Sequence, residues 1–104
     1  MRFLLKAEWP VEAGNAAIKD GSLSKTIESI LDDLKPEAAY FLASNGKRTA
    51  LLIVDMKDAS QIPVLAEPWF LAFKASLEIV PVMVPDDLKK AGPAIEQAVK
   101  KYAT

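Results

Sequence analysis

The stretch AAYFLASNGKRTALLIVDM, residues 38–56, decides the fold because it predicts two strands joined by a tight turn. Ala38–Ser44 and Arg48–Met56 are both rich in residues that favour strands. Asn45-Gly46 lies between them, and this dipeptide accepts the positive φ angles of a hairpin turn. The middle of the chain is therefore predicted to be a β-hairpin.

The register of the hairpin follows from the length of its turn. A turn with two central residues pairs Ser44 with Lys47 and places Tyr40 opposite Leu51. A turn longer by one residue would instead flip one strand relative to the other. With the two-residue turn, one face of the hairpin carries Tyr40, Leu42, Leu51, Ile53 and Asp55.

Two more strands are predicted, one before the hairpin in the chain and one after it. Residues 2–8 alternate with the period of a strand, and one face of that strand is fully apolar. Residues 77–84 are nearly continuously apolar, but Pro81 cannot donate to a ladder. This last strand should therefore lie at a sheet edge or carry a bulge.

Helical spacing predicts the remaining elements. Residues 10–34 are helical, with a break at 20–22 and an end before Pro36. Residues 59–73 form a second helical segment, capped by Ser60, in which Pro68 should kink or restart the helix, so that two short pieces are favoured. A last helix is predicted from Pro85 to about Tyr102, with Gly92-Pro93 as a candidate break between its first turn and the rest.

The order of these elements predicts an α+β fold. The predicted fold is a ferredoxin-like βαββαβ domain with an extra C-terminal helix and a four-stranded antiparallel sheet. With 104 residues, the chain is expected to be one domain, 1–104.

Composition excludes several function classes. Thirteen basic and fourteen acidic residues give a net charge of −1, so no nucleic-acid partner is expected. The chain has neither cysteine nor histidine, so disulfides, thiolate chemistry and most metal sites are excluded, and neither a metal nor a cofactor is predicted. Because no apolar run approaches a membrane span and the N-terminus does not resemble a signal peptide, a cytoplasmic location is expected.

One face of the predicted sheet has no helices to cover it and is too apolar to face water. Such a face implies a partner, most economically a second copy of the chain. In the usual ferredoxin-like order this open face carries Leu4, Lys6, Glu8, Tyr40, Leu42, Leu51, Ile53, Asp55, Glu78, Val80 and Val82.

With this element order, and with Glu67-Pro68-Trp69-Phe70 and Val80-Pro81-Val82-Met83 in their places, the chain resembles the dimeric α+β barrel superfamily. It is most similar to small bacterial domains of unknown function in that superfamily, and more distantly to antibiotic-biosynthesis monooxygenases and YCII-like proteins. The resemblance implies a homodimer with its sheets face to face. No catalytic or haem-ligating histidine carries over, because this chain has none.

Polar side chains on the open face form the first candidate site. Glu8, Tyr40 and Asp55 are the catalytic candidates, and Lys6 and Glu78 are ligand-binding candidates beside them. A buried carboxylate there would remove a proton while Lys6 or Tyr40 stabilised the anion. The alternative is that these groups lie at strand ends, solvated or paired across a dimer interface.

Aromatic residues with an amide form the second candidate site. Trp9, Asn15 and Trp69 are ligand-binding candidates because aromatic walls with one amide hold a planar ligand. Trp69 also fits the apolar stripe of its helix, which favours a core position, and Trp9 would also serve to cover the entry to the first helix. Arg48 is a candidate for a substrate carboxylate, although a basic residue at a hairpin tip is commonly exposed.

Three functions remain open from these residues. The first is a homodimer that binds a small apolar or aromatic molecule in a cleft between the sheet and the helix of residues 59–73. The second is a cofactor-independent enzyme, monooxygenase-like or isomerase-like, acting on an activated aromatic or enolisable substrate. The third is a protein-interaction subunit whose open face meets a different protein.

Overall fold

A four-stranded antiparallel sheet carries helices on one face, which makes this an α+β fold. The computed structural model describes residues 1–103, so Thr104 of the expected domain lies outside the described residues. No helix within 1–103 is long and apolar enough to cross a membrane. The strands are β1 (Arg2–Glu8), β2 (Ala38–Ser44), β3 (Lys47–Asp55) and β4 (Ser76–Pro81). The helices are α1 (Val11–Lys19), α2 (Leu23–Leu34), α3 (Ile62–Phe73), α4 (Pro85–Lys90) and α5 (Gly92–Tyr102).

The β2–β3 hairpin has the predicted two-residue turn. Asn45 and Gly46 adopt φ angles of 55° and 73°, as a tight hairpin turn requires. Ser44 pairs with Lys47, and Tyr40 pairs with Leu51. The predicted register is confirmed.

The strand order is β2-β3-β1-β4, which is compatible with the ferredoxin-like fold. β1 lies in the centre and pairs with β3 on one side and β4 on the other. β4 is an edge strand, as Pro81 predicts, and it ends at Pro81 rather than at Val84.

The first helical segment is divided as predicted. α1 and α2 are separated by a turn in which Gly21 has a φ of 78°. α2 ends at Leu34, followed by Lys35 in a left-handed conformation and then Pro36. The apolar stripe of α2 lies on the core, with Ile30 buried among partly buried neighbours.

The second helical segment differs from its prediction in two ways. A 3₁₀ turn, Ala59–Gln61, is capped by Asp58, whose carboxylate accepts from the backbone N–H of Ser60; Ser60 is not the cap. α3 then continues through Pro68 without restarting. An interior proline costs about 3 kcal/mol, but Leu65, Trp69 and their neighbours on α3 are buried against the sheet on both sides of it. This packing holds the helix together.

Three aromatic rings occupy the space between the sheet and α3. Trp9, directly after β1, stacks on Phe73 with ring centroids 5.0 Å apart and on Trp69 at 5.9 Å. All three side chains are almost completely buried. They adjoin the apolar inner face of β1 and β3, which supplies Leu5, Ala7, Ala50, Leu52 and Val54.

The C-terminal helices leave this core. α4 and α5 follow one another after β4, separated at Ala91-Gly92. Their predicted apolar stripe exists, but its large side chains are between 51% and 76% exposed: Leu88, Ile95, Val99 and Tyr102. The molecule is accordingly 60 Å long, and its radius of gyration is 17.5 Å, whereas a compact chain of this length has about 13 Å.

Leu65→Ala should lower the free energy of unfolding by about 2–5 kcal/mol, because it opens a cavity in the core beside the sheet. Leu71→Ala is the matched control on the same helix, since Leu71 is exposed, and it should change stability by less than about 0.5 kcal/mol. Urea unfolding followed by circular dichroism measures both. Equal effects would contradict the packing of α3 described above.

Candidate functional site

The open face of the sheet has an apolar end and a polar end. In register across β2, β3, β1 and β4, the apolar row is Ala38, Ile53, Leu4 and Val80. The middle row is Tyr40, Leu51, Lys6 and Glu78. The polar row beside the hairpin turn is Leu42, Thr49, Glu8 and Ser76. The predicted residues within the four strands lie on this face, together with Ala38, Thr49 and Ser76, which the prediction did not include; Val82, also predicted there, follows the end of β4.

Glu8 is the centre of the polar end. Its side chain is only 17% exposed, and each carboxylate oxygen faces a lysine. Lys6 Nζ lies 3.9 Å from one oxygen, and Lys47 Nζ lies 3.8 Å from the other. Asn45 Nδ2 donates a hydrogen bond of 3.3 Å to the same carboxylate. The hairpin turn thus holds Glu8 in one orientation.

A pocket of about 260 Å³ opens beside this carboxylate. Its lining combines residues with ammonium, carboxylate, amide and hydroxyl groups with Leu77, whose side chain packs towards the core: Lys6, Glu8, Asn45, Ser76, Leu77 and Glu78. Glu78 is exposed and forms no ion pair within the described residues. The pocket therefore offers a free carboxylate acceptor next to a Glu8 carboxylate that lysines already neutralise.

The structure brings together three of the predicted open-face residues, Lys6, Glu8 and Glu78. Tyr40 shares their row, but Leu51 lies between it and Lys6, so its strand is about 10 Å from β1. Tyr40 is on the same face without lining the pocket.

Asp55 lies at the opposite end of the open face. It pairs with Arg2, six residues along β1 from Glu8, which corresponds to about 20 Å. The N-terminal ammonium donates to its carboxylate at 2.9 Å. This hydrogen bond, together with the charge of the ammonium, lowers the pKa of Asp55. Asp55 and Glu8 therefore cannot act on one small substrate.

Trp9 and Trp69 belong to the core, with 2% and 0% of their surfaces exposed. Their rings and that of Phe73 fill the space between the sheet and α3, where a ligand cleft was expected. Trp69 takes the core position that its helical stripe favours. The pocket beside Glu8 lies on the other face of the sheet.

Asn15 lies on α1, away from the open face, and binds Arg48. Its Oδ1 accepts a hydrogen bond of 3.1 Å from Arg48 Nη1. Arg48 is half-buried, because its side chain runs along Gly14 towards the indole of Trp9. The exposed hairpin-tip position expected for Arg48 is wrong, since this side chain ties β3 to α1.

Three lining residues of the pocket are not among the sequence-predicted candidates: Asn45, Ser76 and Leu77. Lys47, which pairs with Glu8 without lining the pocket, is not among them either. The sequence pattern identifies Asn45 only as a turn residue, through its backbone. The strand register locates Asn45, because pairing Glu8 with Thr49 places the hairpin turn directly beyond Glu8. Ser76 and Leu77 follow from the same reasoning on β4.

No protein-family model matches the chain, and no curated protein matches it either. Within residues 1–103, no three acidic side chains gather closely enough to hold a metal ion.

Gly14→Ala should destabilise the protein, although alanine is favoured over glycine inside a helix by about 1 kcal/mol. The new Cβ would lie 2.5 Å from Arg48 Nη1 and 3.1 Å from Trp9 Nε1, which displaces Arg48 from Asn15. Gly92→Ala is the control, because nothing lies near its Cβ position. Thermal unfolding should show a lower Tm for G14A and an unchanged or higher Tm for G92A; a stabilised G14A would show that Arg48 moves freely.

Proposed function

We propose that this chain forms a homodimer through its open sheet face, in the manner of a dimeric α+β barrel. The dimer binds a small aromatic or apolar molecule that carries a basic or hydrogen-bond-donating group. The observation that carries this proposal is the presence, on one face, of unpartnered apolar rows and a pocket around a mostly buried carboxylate.

The apolar row and the apolar residues of the middle row support self-association. Ile53 and Leu4 are half-exposed in the centre of the face, and Val80 and Tyr40 are exposed at its edges. An apolar patch of this kind marks an interaction site, and a twofold axis lets the same patch serve as its own partner.

The charges of the pocket support the class of ligand. Glu8 is already neutralised by Lys6 and Lys47, whereas Glu78 is left to accept a hydrogen bond or to bind a cation. Leu51, next to Lys6 in the middle row, offers an apolar surface for a ring. The pocket of about 260 Å³ is slightly below the roughly 300 Å³ at which ligand pockets begin, and a second copy over the face would enlarge and close it.

The proposed ligand site is not in the cleft between the sheet and the helix of residues 59–73 that the sequence predicts. Trp9, Trp69 and Phe73 fill that space, so the ligand is assigned to the open face instead. Trp9, Trp69 and Asn15 then support the fold rather than contact the ligand.

A second candidate function is cofactor-independent acid–base catalysis in the same pocket. The low exposure of Glu8 beside the Lys6 ammonium favours it, because such a pair removes a proton and stabilises an anion. Asp55 has no place in this function, since its lowered pKa makes it a weaker base and it lies far from Glu8.

Val80→Lys should convert the dimer to a monomer without unfolding it. It places a charge in the apolar row, at the β4 edge of the proposed interface, but Val80 is exposed in the single chain. Val64→Lys is the matched control, because Val64 is exposed on α3, on the helix side of the sheet. Sedimentation velocity should give a dimer for the parent chain and V64K, and a monomer for V80K. A parent chain that sediments as a monomer would overturn the dimer and favour the interaction-subunit hypothesis.

Tyramine should bind this pocket more tightly than 3-(4-hydroxyphenyl)propanoate, which has the same phenol ring and two-carbon linker but a carboxylate in place of the ammonium. Amide shifts in ¹⁵N NMR titrations should change at β1, β4 and the hairpin turn. Glu78→Gln should weaken tyramine binding about tenfold by removing a charged acceptor, whereas Glu28→Gln on the exposed side of α2 should have no effect. Equal shifts with both compounds, or shifts elsewhere, would contradict the proposed site.

A further inference from the structure

The C-terminal arm, α4 and α5, has an apolar stripe that this chain leaves uncovered. Leu88, Ile95, Val99 and Tyr102 are each more than half exposed, and they share one face of the arm. α5 has eleven residues, and isolated helices shorter than about 12–15 residues are marginal in water. The arm therefore needs a surface on which to lie.

The β2 edge of the sheet, opposite the β4 edge from which the arm continues, also carries uncovered apolar side chains. Tyr40, Phe41 and Leu42 are consecutive on β2, and they are 64%, 49% and 41% exposed. Because successive residues of a strand point to opposite faces, β2 is uncovered on both sides. Face-to-face pairing of two sheets would cover Tyr40 and Leu42 but leave Phe41 in water.

We infer that the arm of each copy wraps around the β2 edge of a second copy and covers Phe41. This inference rests on the homodimer proposed above and adds the element that completes its interface. A twofold axis parallel to the strands places the β4 edge of one sheet over the β2 edge of the other. The arm follows β4 directly, so it begins beside the partner strand that it covers.

The area of the two surfaces supports a second copy as the occupant. Four strands of six to nine residues present a sheet face of roughly 450 Å². The eighteen residues of the arm, 85–102, add about 27 Å of helix and roughly 270 Å² along one side. Stable interfaces begin at about 600 Å² for each partner. The sheet face falls short of this area alone and reaches it together with the arm.

Cross-linking between labelled copies tests the exchange directly, because the parent chain has no cysteine. Chains carrying Phe41→Cys are mixed with ¹⁵N-labelled chains carrying Val99→Cys and treated with a flexible bismaleimide. We expect a covalent dimer of mixed mass. Val64→Cys in place of Phe41→Cys is the control and should give none, because Val64 is exposed on α3, which packs beside β4 and away from the β2 edge.

Sedimentation of arm variants separates this inference from the dimer itself. Ile95→Gln with Val99→Gln should raise the dimer Kd about 100-fold by removing two buried branched side chains. Glu96→Gln with Lys100→Gln, which changes residues off the stripe, should alter it by less than about twofold.

The outcomes distinguish failure of the arm exchange from failure of the dimer. A parent dimer that gives no mixed-mass product, or whose Kd the stripe variants leave unchanged, overturns the arm exchange alone. A doubly substituted F41C/V99C chain that links only within itself also overturns it, because the arm would then cover its own sheet. A parent chain that is monomeric throughout overturns the dimer and the arm exchange together.

Discussion

The stacking of Trp9 on Phe73 and Trp69 is the contact on which the rest of the structure depends. These rings join the end of β1 to α3, the helix that precedes β4 in the chain. Their burial fixes which face of the central strand is inside, because side chains alternate along a strand. Leu5 and Ala7 follow Trp9 into the core, and Lys6 and Glu8 are therefore on the open face. The polar pocket exists because the aromatic cluster occupies the other side.

The cluster of Trp9, Trp69 and Phe73 also bears on why the core leaves the open face and the arm uncovered. Both indole Nε1–H groups are buried without a partner among the described residues, which costs about 1–3 kcal/mol each. Burial of the large ring surfaces offsets this cost. α1, α2 and α3 cover the inner face of β1 and β3 but leave Phe41 of β2 exposed, and α4 and α5 do not pack on this core. The open face and the arm are thus two consequences of one limited core, and the proposed dimer would cover both.

Sequence reasoning succeeded where neighbouring residues carry the signal. Asn45-Gly46 predicted the turn and its register, Pro81 predicted an edge strand, and the break near Gly21 divided the first helical segment. It failed where distant packing outweighs a local preference: Pro68 does not restart α3, because Leu65 and Trp69 are buried on either side of it. In the candidate site, Lys6, Glu8 and Glu78 followed from alternation, whereas Asn45 and Lys47 enter it only because the hairpin turn lies beside Glu8.

The sequence by itself determined the elements, their order and the division of the sheet into an apolar and a mixed face. Periodicity, proline and glycine act within a few residues of one another, so the linear chain contains that information. Only the tertiary structure decided that Trp9 is a core residue rather than a ligand wall, that Arg48 binds Asn15, and that the stripe of α5 faces water. These outcomes depend on how much surface the other elements have already covered, and that quantity arises only when residues far apart in sequence meet.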